Sequence, residues 1–309
     1  MDNKELSLEG LKGIGSCIIA FVWHYQHFAP ASFPFYNLIP VSYNHGWLMV
    51  ELFFMSSGFG MMIGYKNKIR NRQISFKEYF LRRLSRLYPV FFMTLLIVTI
   101  LQLFYKAKMG ETFIYSNFDV YHFILNLLCI QDGIVGTEWS FNAPSWCISV
   151  SFFCYIIFYY SVYVSKREDE IYYRLFSFVL IGASVLISEI DYPIFNGLMA
   201  RGVLCFSIGA ILAGVYEKWQ ISHFNTAVVG NFSMAMLIVM YFIIRSGNIE
   251  IIGNLQMTFI LGIAPLTIIS VLFSPWLRLL LSKKPFVLLG SLSLSIYLCH
   301  FPVQCFIRI

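Results

Sequence analysis

The side chains best able to do chemistry in this sequence are polar groups placed inside long apolar stretches. The first stretch, Leu11 to Ala29, carries His24 and His27, and Glu51 lies near the start of the second. An ionisable group in hydrocarbon is costly, so a membrane segment that carries one usually has a use for it. Because histidine and glutamate are common proton-transfer groups in enzymes, function should be sought at these intramembrane positions.

More polar side chains interrupt the later apolar stretches at a similar depth. They are Ser149, Ser151, Arg201, Tyr297 and His300. With His24 and Glu51, we expect them to form one polar layer toward the outer face of the membrane. Structural alternatives stay open, because serine hydroxyls often bond across membrane helices and Glu51 could simply neutralise Arg201.

A second polar group is cationic. Arg82, Arg83 and Arg86 fall within little more than one helical turn, and Lys12 opens the first apolar stretch. Residues 82 and 86 share a face of a helix and could clamp a phosphate group, whereas Arg83 could be only a surface anchor. Lys12 and His24 are about 18 Å apart along a helix, over half of the hydrocarbon core of about 30 Å. A substrate with a charged head and a reactive end deeper in the membrane would match this separation.

The composition shows that membrane-spanning elements must hold these groups. Of the 309 residues, 58% are apolar and only 12% are charged, against about a quarter charged in soluble proteins. The apolar runs have the length of membrane helices. We therefore predict an all-α, polytopic transmembrane helical bundle that forms a single domain over residues 1–309. Nine spans are predicted, at residues 11–29, 46–65, 88–107, 146–165, 175–190, 197–216, 225–244, 253–273 and 287–307, with a tenth, interfacial element near 120–131.

The lysine and arginine residues predict a cytoplasmic N-terminus. With that orientation most of the 22 cationic residues lie at the N-terminus or in the loops 66–87, 166–174, 217–224 and 274–286, as the positive-inside rule requires. The net charge of +6 follows from this topology, so no nucleic-acid partner is expected. We expect a multi-pass protein of the cell membrane, with the lipid bilayer as partner and the first span as a lasting anchor. The seven cysteines show no CxxC spacing, and we expect buried thiols and no metal site.

Six motifs cover nearly the whole chain in a characteristic order. They are LEGLKGIGSCIIAFVWHYQHF (8–28), VELFFMSSGFGMMIGY (50–65), FLRRLSRLYP (80–89), NAPSWCISVSFFCY (142–155), RGVLCFSIGA (201–210) and LLGSLSLSIYLCHFPV (288–303). Together they resemble the integral-membrane acyltransferase 3 family, whose polytopic members O-acylate cell-surface and secreted sugars.

The resemblance implies an enzyme that moves an acyl group from cytoplasmic acyl-CoA to a hydroxyl of a cell-surface or exported carbohydrate. We expect the acyl group to be acetyl, with acetyl-CoA as a donor substrate and no permanently bound cofactor. His24 would be the general base or acyl relay and Glu51 would help to organise the transfer, while Lys12, Arg82 and Arg86 would hold the acyl-CoA phosphates. The remaining polar residues would complete the substrate and transfer layer, and these are Arg201, Ser149, Tyr297 and His300.

Several features depart from the pattern of the family. Lys12 stands where arginine is typical, which loses bidentate phosphate geometry, and Ser151 stands where a glutamate is common. One residue more than expected separates Lys12 from His24, so we expect the two to face directions about 100° apart. Only residues 301–309 follow His300, and we expect a short form. Two other functions stay open: a transporter or flippase, which also needs a polar layer, and a catalytically silent member that binds polysaccharide.

The outer loop from Lys108 to Pro144 is the candidate acceptor region. It carries Tyr115, Tyr121 and Trp139 among Asn and Asp residues, a mixture that can stack on sugars and hydrogen-bond to them. The same residues would serve equally well as anchors at the membrane interface. The identity of the sugar, the length of the acyl chain and the oligomeric state stay open.

Overall fold

The computed structural model describes residues 3–27, 33–113, 115–131, 139–189, 195–221, 225–247 and 253–308. Regular structure in these ranges is helical, with one isolated backbone bridge between Asn117 and Ser140. The α-helices are α1 (Asn3–Cys17), α2 (Pro40–His45), α3 (Met49–Arg70), α4 (Phe76–Met109), α5 (Val120–Leu127), α6 (Trp146–Val164), α7 (Glu168–Ser188), α8 (Gly197–Ile221), α9 (Thr226–Arg245), α10 (Leu255–Thr258), α11 (Ala264–Phe273), α12 (Pro275–Leu281), α13 (Lys284–Ser291) and α14 (Ser293–Arg308). Two π-helical turns, Ile18–Trp23 and Phe259–Ile263, and three 3₁₀ turns, His24–His27, Gly46–Leu48 and Ala143–Ser145, adjoin them.

Eight helical stretches within the described ranges are long and apolar enough to cross a membrane. A ninth span results if α13 and α14, which meet at a bend of 62°, are counted as one. The prediction of an all-α polytopic bundle is therefore confirmed. The interfacial element expected near residues 120–131 is the eight-residue helix α5.

The helix ends differ from the apolar runs that predicted them. Residues 66–87 are not a loop, because α3 continues to Arg70 and α4 begins at Phe76. The Ser75 hydroxyl caps α4 by accepting a hydrogen bond from the Glu78 N–H at 3.2 Å. Charged residues form helices well, so the helices extend beyond the part that lipid must cover. The cationic run 82–86 is consequently helical, as a phosphate clamp requires.

Residue contacts group the chain into two compact units. Unit 1 contains residues Met1–Met62 and Ile208–Ile296, and unit 2 contains Ile63–Ser207 and Tyr297–Ile309. The single domain over residues 1–309 stays a prediction.

Close backbone packing holds α1 within unit 1. A Cβ atom on Gly13 would lie 2.6 Å from the Gly290 nitrogen, so α1 and α13 meet along their backbones and only glycine fits there. The Ser7 hydroxyl also donates to the Val271 carbonyl at 3.2 Å. These contacts fix the helix that carries Lys12 and leads to His24.

A buried tyrosine and a buried lysine join helices of unit 2. The Tyr79 hydroxyl donates to the Tyr155 carbonyl at 3.1 Å and joins α4 to α6. The buried Lys66 ammonium group lies 2.9 Å from a Glu168 carboxylate oxygen and joins α3 to α7. A buried cation needs such a partner, so this pair fixes the register of the two helices.

Candidate functional site

His24 lies at the end of an irregular helix in unit 1. Its backbone N–H bonds to the carbonyl of Ile19, five residues earlier, which is the π-helical pattern. The half-buried His24 then begins the 3₁₀ turn. A Cβ on Gly46 would lie 2.9 Å from Trp23 Cβ, so glycine is needed where the turn Gly46–Leu48 approaches the π-turn. The side chain of His27 lies outside the described part of the chain.

The π-turn changes the direction in which His24 faces. Twelve steps of about 100° would leave Lys12 and His24 about 120° apart on a regular α-helix. A π-turn takes about 4.4 residues, or about 82° per residue, because its hydrogen bonds span five residues instead of four. Over the six residues Ile18–Trp23 the difference is about 110°, which returns the two side chains to nearly the same face. By this estimate the π-turn takes up the additional residue, so the misalignment of about 100° would largely disappear.

Lys12 has an ion-pair partner on its own helix. Its ammonium group contacts the carboxylate of Glu9 at the i,i+3 spacing, and both side chains are 22% exposed. Glu9 was not among the expected site residues, although this spacing is readable in the sequence. A phosphate that binds Lys12 must therefore share the ammonium group with Glu9 or displace it.

Glu51 is buried in the first turn of α3, where the helix dipole favours an anion. One carboxylate oxygen accepts a hydrogen bond from the Gln256 side-chain amide at 3.3 Å. Gln256 lies in α10, directly before the second π-turn. This partner was not predicted from the sequence. Its only signal was a polar residue near the outer start of the eighth predicted span.

The polar residues of unit 2 include Arg201 and Ser149. The Arg201 guanidinium carbon lies 5.2 Å from the centre of the Trp146 ring, which is a cation–π contact between α8 and α6. Ser149 follows Trp146 by one helical turn and is 1% exposed. Its hydroxyl has no hydrogen-bond partner among the described residues. Ser151, by contrast, donates to the Cys147 carbonyl at 2.7 Å.

Tyr297 and His300 are buried near the same segment of unit 2. The Tyr297 hydroxyl donates to the Pro144 carbonyl at 2.6 Å and holds the 3₁₀ turn before α6. Nδ1 of His300 bonds to the Tyr297 carbonyl, so Nδ1 carries the proton. In the neutral ring Nε2 is then the acceptor nitrogen, which suits a base rather than an acid.

Arg82 and Arg86 are exposed on α4. The Arg82 guanidinium group bonds to the Glu78 carboxylate at 2.6 Å. Arg83 instead donates to the Tyr65 hydroxyl at 2.6 Å and lies over that ring. This contact supports the interpretation of Arg83 as an anchor and leaves 82 and 86 as the exposed pair.

The predicted site residues therefore divide between the two units. Unit 1 holds Lys12, His24 and Glu51, and unit 2 holds the six others, which are Arg82, Arg86, Ser149, Arg201, Tyr297 and His300. Within unit 1, the first span carries Lys12 in α1 and His24 directly after the π-turn. Within unit 2, α6 and α14 meet at the irregular turn 143–145. In unit 1, His24 can take a proton near one end of the first span, and Lys12 can bind an anion near the other end.

Comparison with known protein families identifies the family of this chain. The model of an acyltransferase family, described as the acyltransferase domain of the acyltransferase 3 type, matches residues 5–308. The curated proteins and the solved structures contain no match to the chain.

Proposed function

The chain belongs to the acyltransferase 3 family and is a membrane acyltransferase, and we propose that it transfers an acetyl group from cytoplasmic acetyl-CoA to a carbohydrate hydroxyl at the outer face of the cell membrane. The observation that carries this proposal is the π-turn Ile18–Trp23. By helix geometry, a π-turn at this place would bring Lys12 and His24 to about the same face of the first span. A donor with an anionic head and a thioester about 18 Å away along the helix axis would meet both groups.

The proposed reaction uses His24 as general base. The neutral imidazole takes the proton of the acceptor hydroxyl while that oxygen bonds to the thioester carbonyl carbon. The carbon–sulfur bond then breaks, and the proton passes from the imidazole to the CoA thiolate. Glu51 would help to organise this layer, with Gln256 holding its carboxylate in place.

Arg82 and Arg86 would bind the phosphates of the donor. Both are exposed one turn apart on α4, so their guanidinium groups can reach one anion together. The ion pair with Glu78 keeps Arg82 extended along the helix surface. A phosphate with two negative charges would compete with this single carboxylate.

The test is transfer of labelled acetyl from acetyl-CoA to surface polysaccharide in membranes that carry the chain. Removing a general base typically costs 10²–10⁴-fold, so His24→Ala should lose about that much transfer at an unchanged protein level. His45→Ala is the matched control, because His45 is also a half-buried histidine of unit 1 and carries no proposed role. Transfer that survives His24→Ala would support the proposed acetyl transfer and exclude His24 as its general base. The absence of transfer in the wild type across several acyl-CoA donors and glycans would favour the silent, polysaccharide-binding alternative.

A further inference from the structure

Three buried carboxamides of unit 2 share an unusual bonding pattern. Asn126 donates from its amide nitrogen to the Ser140 hydroxyl at 3.0 Å, and Gln131 donates to the Ser145 carbonyl at 3.3 Å. Asn142 donates to the Leu298 carbonyl at 3.1 Å. The side-chain oxygens of all three amides are buried and have no hydrogen-bond partner among the described residues. Asn126 and Gln131 thus bond at the two ends of the short segment 140–145, and Asn142 lies within it.

A carboxamide with a purely structural role looks different in the same unit. Gln102 donates to the Phe113 carbonyl at 3.0 Å and accepts from the Phe113 N–H at 2.8 Å. It is 1% exposed, and both its amide nitrogen and its amide oxygen are hydrogen-bonded to the protein. Holding a loop therefore does not explain why the oxygens of Asn126, Gln131 and Asn142 stay unbonded.

Ser149 adds a hydroxyl to this group. The other buried serine of the same helix, Ser161, bonds back to the preceding turn, to the Ile157 carbonyl at 2.6 Å. The hydroxyl of Ser149 makes no such bond within the described chain. The carbonyl one turn before it, that of Ser145, takes the Gln131 amide instead. Ser149 can therefore donate a hydrogen bond to a ligand, or accept one from it, without breaking a bond within the helix.

The chemistry of these groups selects a neutral ligand rich in hydroxyl groups. A buried acceptor without a hydrogen bond is unfavourable, so amide oxygens favour a ligand that brings O–H donors. The three amides and the hydroxyl carry no charge, whereas a divalent cation prefers carboxylate oxygens and a phosphate needs donors or cations. Trp139, 41% exposed and directly before the segment, offers an aromatic face for stacking.

We propose that Asn126, Gln131, Asn142 and Ser149 hold the hydroxyl groups of the carbohydrate acceptor. This carboxamide site rests on the proposed function, because it assigns the acceptor to residues of unit 2. On the predicted orientation it lies at the outer end of α6, where an exported sugar arrives.

The experiment measures the KM for the acceptor and for acetyl-CoA separately, with purified full-length chain in detergent. The acceptor probe is surface polysaccharide from the expression host, freed of its O-acetyl groups by alkali and cut to oligosaccharides. Ser149→Ala removes a hydroxyl that has no partner in the described chain, so the protein should fold normally. We expect the acceptor KM to rise about five- to tenfold, the effect of one hydrogen bond, with the KM for acetyl-CoA unchanged. Gln131→Met should raise the acceptor KM by a similar factor.

The matched controls are Ser161→Ala and Gln102→Met, which remove groups with purely structural bonds. They should leave the acceptor KM unchanged. Wild-type transfer with an unchanged acceptor KM in Ser149→Ala and Gln131→Met would overturn the carboxamide site and leave the proposed function intact. An equal rise in variants and controls would overturn it as well. If the wild type transfers to none of the oligosaccharides, the proposed function itself fails, and this inference fails with it.

Discussion

Deleting one residue from the π-turn should preserve function, whereas inserting one there should abolish it. Without Ile18, the segment from residue 12 to residue 24 can form a regular α-helix of eleven steps. Eleven steps of about 100° leave the two ends about 20° apart, against about 10° with the π-turn present. The deletion therefore changes the facing of His24 relative to Lys12 by about 10°.

The displacement of the imidazole follows from the helix radius. Side-chain ends lie about 6 Å from the helix axis, so a rotation of about 10° moves them by about 1 Å. An alanine inserted after Cys17 would add about 100° and move the ring by about 9 Å. The deletion variant should hence retain measurable transfer, and the insertion variant should fall to the level of His24→Ala.

The assay is transfer of labelled acetyl to surface polysaccharide, normalised to the amount of folded protein in the membrane. His24→Ala defines the level without the proposed base. Transfer by the insertion variant at more than this level would show that the alignment of Lys12 and His24 is not needed. A deletion variant that is present in normal amount but as inactive as His24→Ala would refute the geometric reasoning directly.

Three further predictions concern other parts of the chain. Arg82→Ala should raise the KM for acetyl-CoA about tenfold, the cost of a charge-assisted contact. Lys77→Ala, at an exposed position in the first turn of the same helix, should not; steady-state kinetics at two salt concentrations checks this. Burial raises the pKa of the Cys129 thiol to about 12, so at pH 8 a maleimide should label Cys129 only after denaturation, which mass spectrometry of the peptide measures. Hydrogen bonds from the His122 N–H and ring hold the pKa of Asp119 below its usual range. Because the carboxyl pKa is lowered in the folded state, the Asp119 N-cap stabilises α5 above about pH 4, and this stabilisation is lost as the pH falls further. The difference in hydrogen exchange of residues 120–127 between wild type and Asp119→Ala should therefore shrink below that pH.

The membrane fold was predictable because hydropathy is a local property. A span needs about 20 apolar residues, and lysine and arginine concentrate on the cytoplasmic side. The helix ends were less predictable. The charged starts of α4 and α7 continue the helix beyond the apolar runs, and caps such as Ser75 decide where it begins. Apolar periodicity carries no information about such positions.

The candidate site was predictable only in part. His24, Glu51 and Arg201 stood out because ionisable groups in a span are costly, and the Glu9–Lys12 pair was readable from its i,i+3 spacing. The π-turn at Ile18–Trp23 has no signature in the residue pattern. It depends on the fit of the first span against Gly46 and its neighbours in unit 1.

The sequence by itself determined the class of protein, the approximate positions of the spans and the positions of the side chains that could do chemistry, because these follow from composition and from spacing along one helix. Only the tertiary structure decided which groups meet. Gln256 bonds to Glu51 across 205 residues, and Asn142 bonds to Leu298 across 156. It also showed which buried amides are fully bonded within the protein, as Gln102 is, and which leave an oxygen without a partner among the described residues, as Asn142 does. Contacts of that range depend on how helices pack, and no pattern within a single helix encodes them.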